Sequence, residues 1–116
     1  MLRNTNRIPL DYSLCAMTVT VYHREDLTRH VIANAHYEFT DEGNVSNAVA
    51  SGERHFLLVV PGEADLRVGD KVVLGEGPVI TSWAALNAVD TPTLGVVSSL
   101  KPRYFRGQLC HTEARG

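Results

Sequence analysis

A chain of 116 residues suits one domain with one core, and its 44% hydrophobic and 21% charged content excludes wholesale disorder and the fibrous classes. The formal charge of −2 excludes a protein that holds nucleic acid by bulk electrostatics, a mode that needs clustered Lys and Arg. The 2 cysteines, Cys15 and Cys110, lie outside any CxxC spacing, so a disulfide framework is not expected.

Residues 1–16 mix Asn, Arg, Thr and Pro with scattered apolar residues and no period, and they read as an arm or lead-in. They lack the continuous apolar core of a signal peptide, and no run in the chain approaches the roughly 20 apolar residues that span a bilayer. Synthesis in a bacterial cytoplasm and no membrane partner are therefore expected. Residues 17–116 read as a single β-barrel domain. Met17 to His23 alternates, with Met17, Val19 and Val21 on one face and Thr18, Thr20 and Tyr22 on the other, as a half-buried strand requires. After the charged turn Arg24-Glu25-Asp26, His30 to Phe39 predicts a long strand. Val31, Ala33, Ala35, Tyr37 and Phe39 share one side of it, and His30, Ile32, Asn34, His36 and Glu38 the other.

The segment 41–54 is rich in Asp, Asn, Ser, Gly and Glu, and predicts an exposed loop. His55 to Val60 is too apolar for a one-sided strand and predicts a central one with both faces covered. Pro61-Gly62, Gly69-Asp70 and Gly75-Glu76-Gly77-Pro78 punctuate the next stretch of chain, predicting turns around the short strands Lys71 to Leu74 and Val79 to Thr81. Ser82 to Val89 predicts one or two helical turns, with Ser82 as N-cap. Two closing strands, Thr93 to Leu100 and Gln108 to Glu113, are expected on either side of Lys101 to Gly107. The sum is an all-β fold, a small barrel or sandwich of about six to seven antiparallel strands with long loops and at most one short helix.

No constellation for catalysis emerges, and no catalytic, cofactor or metal residue is assigned. The five histidines His23, His30, His36, His55 and His111 show no recognised ligand spacing, and His30 and His36 would sit roughly 20 Å apart along one strand face. Cys110 beside His111 resembles a nucleophile next to a base, but strand neighbours point to opposite faces. The carboxylate pairs Glu25-Asp26 and Asp41-Glu42 fall in predicted turns, where solvation is the simpler role than acid and base work. Gly75-Glu76-Gly77-Pro78 lacks the following helix that cradles a phosphate. Tyr104 and Phe105 between Arg103 and Arg106 suit either stacking on single-stranded bases or anchoring a protein contact. Charge is also uneven. Residues 38–76 carry eight acidic against three basic side chains, and residues 101–116 four basic against one acidic, a pattern compatible with head-to-tail association.

Val19 to Arg24, Phe56 to Pro61 leading into Val68 to Gly77, and Lys101 to Glu113 together resemble small prophage-encoded minor capsid or head-tail joining proteins, over roughly Thr18 to Glu113. The order of elements also resembles the stopper class of tailed-phage neck proteins. That resemblance implies a structural, non-enzymatic virion protein at the head-tail interface. It would assemble as a ring, contact a portal or adaptor on one side and tail proteins on the other, and let DNA pass through. An arm contact through Leu2, Ile8, Leu10 and Tyr12, a lumen loop beginning at Asp41 and Glu42, and an anchor of Arg103, Tyr104, Phe105 and Arg106 are the candidate interfaces. The alternatives are a small β-barrel module that binds a host protein or single-stranded nucleic acid, and a tail terminator or other minor tail protein.

Overall fold

In the computed structural model, residues 15–41, 54–87 and 89–116 are described. Leu2, Ile8, Leu10, Tyr12 and Glu42, and most of the expected arm and of the 41–54 loop, lie outside them. The fold is all-β. Its strands are β1 (Met17–Tyr22), β2 (Arg29–Asp41), β3 (Arg54–Pro61), β4 (Lys71–Leu74), β5 (Gly95–Val96), β6 (Ser99–Phe105) and β7 (Gln108–Arg115). They form one antiparallel sheet in the order β5-β4-β1-β2-β3-β7-β6. β5 and β6 are successive pieces of chain parted only by Val97 and Ser98, yet they pair with opposite ends of the sheet. The sheet therefore curls into a half-barrel. The Gly69 amide donating to Val97 O at 2.8 Å and the Ser98 amide donating to Arg115 O at 2.7 Å hold that curl.

Inside the curl, Val19, Val21, Ala35, Tyr37, Phe56, Leu58, Val60, Val72, Val97 and Ala114 form the main core. Phe56, Leu58 and Val60 come from β3, which lies inside the sheet as expected; on its other face Val59 is buried but Leu57 is half-buried and His55 exposed, so that face is only partly covered, not both faces as the apolar run predicts. Gly95 is buried against the Phe56 ring, where a Cβ would have no room.

β2 departs from the expected alternation. Met17 faces Ala35 but Val19 faces Ile32, so two residues of β2 oppose Thr18 and form a β-bulge. The bulge exchanges the faces: Ala35 and Tyr37 are buried beyond it, whereas before it Ile32 packs on the core and Val31 is exposed. His30 and His36 consequently do not share a face.

A second cluster, Tyr22, Val73, Ile80, Leu86 and Leu94, covers the outer side of β1 and β4. The expected strand Val79 to Thr81 is instead an irregular strap over that side. Pro78 has no amide to offer a ladder, and side chains take the carbonyls that a neighbouring strand would use. The Tyr22 hydroxyl donates to Pro78 O at 2.6 Å and Arg29 Nε to Gly77 O at 2.8 Å, while the Gly77 amide donates to Thr20 Oγ1 at 2.9 Å. The expected helix shrinks to a 3-10 turn, Trp83–Ala85, because Ser82 makes no side-chain cap and Leu86 is already extended. Lys71 closes this turn from outside. Its Nζ donates to Trp83 O at 2.9 Å and Leu86 O at 2.7 Å and lies 4.4 Å from the Trp83 ring centroid, an arrangement of cation, carbonyls and ring.

Lys101 to Phe105, expected as a connection, lies inside β6. A Pro within a strand suits an edge, where its missing amide faces no partner, and β6 is the end of the sheet.

Candidate functional site

Among the described residues, two places bring chemistry-bearing side chains together. The first is the tip of the β6–β7 hairpin. Phe105 pairs with Gln108, and the two residues between them, Arg106 and Gly107, have φ of 55° and 79°. Positive φ at both positions defines the turn whose twist matches antiparallel strands. Arg106 lies over the Phe105 ring at 5.3 Å, and Tyr104 is 64% exposed. The ladder shifts between Arg103 and Tyr104, and such a shift re-aims the side chains beyond it.

Arg103 is held by its neighbour strand. Its Nε lies 3.2 Å from Glu113 Oε2 and its NH2 donates to Oε1 at 3.3 Å. His111 Nε2 sits 2.9 Å from Glu113 Oε2, and Arg115 NH2 lies 3.7 Å from Oε1. The bond to His111, helped by Arg103, holds the Glu113 carboxyl below the usual glutamate range against the opposing effect of burial. Thus the basic C-terminal stretch is partly neutralised within its own hairpin. Cys110, placed beside His111 in sequence, has its sulfur 3.6 Å from Gln108 O. Of the residues expected at interfaces, Arg103, Tyr104, Phe105 and Arg106 are brought together here, whereas Asp41 ends β2 in register with Arg54 at the far end of the β2–β3 pair.

The second place was not legible in the sequence. The β1–β2 turn is closed by the His23 amide donating to Thr28 O at 2.9 Å and the Leu27 amide donating to His23 O at 2.9 Å. Asp26 accepts from the Thr28 amide at 3.0 Å and from its hydroxyl, and these bonds lower the Asp26 carboxyl below its ordinary value. The pair Glu25-Asp26 is thus turn chemistry, as expected, with Arg67 NH1 donating to Glu25 Oε1 at 2.8 Å. Behind this turn Asp70 is buried. Its carboxylate accepts from the Arg24 amide at 3.1 Å, from the Arg67 amide at 3.0 Å and from the His23 ring, with Nδ1 to Oδ2 at 2.6 Å. His30 stands opposite Val21 in the ladder, its ring 4.8 Å from that of His23. Asp65, from the β3–β4 connection, meets both. No local spacing announces this group, because its members come from three separate parts of the chain.

Comparison with protein-family models, with curated proteins and with solved structures finds no significant match to this chain.

Proposed function

We propose that the chain is a structural component of a tailed-bacteriophage virion, a head-tail connector of the neck or stopper type. In this reading it assembles as a ring, joins or closes the portal side of the capsid, docks the tail and leaves a passage for DNA. The observation that carries the proposal is the β6–β7 hairpin. It combines a strand edge that among the described residues has no partner, an exposed Tyr104, and Arg103, Phe105 and Arg106 beside it. Tyr and Arg in such a setting are the residue types that dominate protein contacts. An unpaired edge also invites pairing with another chain. The same hairpin holds Lys101 to Glu113, one of the stretches on which the resemblance to phage joining proteins rests. An all-β scaffold agrees with that resemblance.

Sedimentation of the full chain, alone and mixed with tailed-phage portal and tail proteins from the genome that carries it, tests this. The proposal expects a closed oligomer or a complex, and a Tyr104→Glu variant that stays folded by circular dichroism but loses the association. A wild-type chain that sediments as a monomer under every one of these conditions overturns it.

A further inference from the structure

His23, His30 and Asp65 offer one donor atom each, and these atoms lie within 4.8 Å of one another. We propose that they form a binding site for a divalent transition-metal cation of the zinc class, with Asp70 as the carboxylate that orients His23. The His23 side chain is 3% exposed, and its Nδ1 lies 2.6 Å from Asp70 Oδ2. Asp70 is fixed in the role of acceptor by two backbone amides, those of Arg24 and Arg67. Nδ1 therefore carries the hydrogen, and in a neutral ring the lone pair sits on Nε2. A carboxylate that fixes the tautomer of a metal-binding histidine through its other nitrogen is the usual outer support of such a ligand.

Nε2 of His23 is buried and has no hydrogen-bond partner. It lies 3.2 Å from Asp65 Oδ2 without the alignment of a hydrogen bond, and His30 Nε2 lies 3.6 Å from the same oxygen. Electron-pair donors thus converge where a positive charge is required between them. A proton on His23 can bridge two of these groups, whereas a cation serves all three. Ligands held at about 2.0–2.1 Å around a tetrahedral ion are about 3.3 Å apart. The two spacings to Asp65 are close to that, and the two histidine nitrogens, within 4.8 Å of each other, close the remaining gap by rotation of the half-exposed His30 ring.

The surroundings suit an ion that arrives from solvent. Asp65 is 60% and His30 41% exposed at the side chain, leaving a path inward and room for water to complete the coordination. Arg67 NH2 stands 3.7 Å from Asp65 Oδ1, the other oxygen of the carboxylate, and leaves Oδ2 toward the histidines. Two imidazoles and one carboxylate favour zinc and its first-row neighbours over calcium or magnesium, which take oxygen ligands. Bound there, the ion ties the ends of β1 and β2 to the β3–β4 connection and stabilises the fold by mass action.

The test is calorimetric titration of the untagged full chain, stripped of metal with a chelator, using zinc chloride, with thermal unfolding recorded with and without zinc. His23→Ala removes a buried ring and is a poor probe, so the informative variants are His30→Ala and Asp65→Asn, with His36→Ala as control. The proposal expects one zinc per chain and a raised melting temperature in wild type and His36→Ala. It expects at least tenfold weaker binding in both His30→Ala and Asp65→Asn. Absence of saturable one-to-one binding in wild type overturns it, as does zinc affinity kept within twofold in either ligand variant. Calcium binding as tightly as zinc overturns the assignment of the metal class.

Discussion

Asp70 shows how much of the molecule one residue organises. In sequence it reads as the second half of a Gly-Asp turn, and it does follow Gly69, whose φ of 99° needs glycine. Its carboxylate, however, is buried and collects an amide from its own turn, that of Arg67, and an amide and an imidazole from one distant segment, Arg24 and His23. Removing one side of a buried charged network strands its partners, so Asp70→Ala should cost on the order of 3–5 kcal/mol in urea unfolding. A loss below about 1 kcal/mol would mean that water replaces the carboxylate. Glu113 gives a pH-dependent counterpart. Its folded-state value lies below the ordinary 4.5, so its stabilisation is present above that value and is lost as the pH falls through the lower folded value. The urea midpoint should therefore drop on acidification below 4.5 more steeply in wild type than in Glu113→Gln; parallel curves would contradict the assigned network. Turn residues were legible because Gly and Pro act locally. Asp65, His23 and His30 were not, since their meeting depends on a tertiary approach that spacing does not encode.

Among the elements, β1, β3, β4 and β7 follow from alternation and apolar runs. β2 was placed correctly but its faces were not, because a bulge leaves no mark in composition and exchanges every side chain beyond it. From Lys101 onward β6 is not legible in the sequence, because charge and Pro102 resemble a loop, although both are normal on an edge. Val79 and Ile80 have strand chemistry without a strand, since side-chain bonds from Tyr22 and Arg29 occupy the adjacent carbonyls. Arg106 occupies a left-handed position that favours Asn before Gly. Arg106→Asn should raise stability by about 0.5–1 kcal/mol in thermal unfolding while weakening any assembly that uses the guanidinium. A destabilised variant would show that the cation over Phe105 outweighs the backbone. Gly95→Ala should lose about 1–3 kcal/mol, because its methyl group meets the Phe56 ring. Unchanged stability would mean that this ring moves freely.

At the scale of the whole molecule, the all-β class is readable from periodicity and turn chemistry, which repeat along the chain. The strand total agrees because the loss of Val79 to Thr81 is offset by the split of the expected Thr93 to Leu100 strand into β5 and the start of β6. The curl was not, because it arises where one run of residues, Gly95 to Phe105, switches from β4 to β7 at Val97 and Ser98. That switch leaves β6 as an edge with Tyr104 exposed, the feature on which the connector proposal rests. Electron microscopy of tailed particles induced from the strain that carries this sequence, with the chain located by a labelled antibody, tests the connector proposal most directly. The connector proposal predicts a ring of density at the head-tail junction into which the half-barrel fits, with the β6–β7 hairpin against a neighbouring subunit. Complete, tail-bearing particles in which this chain occupies no position at that junction would contradict it.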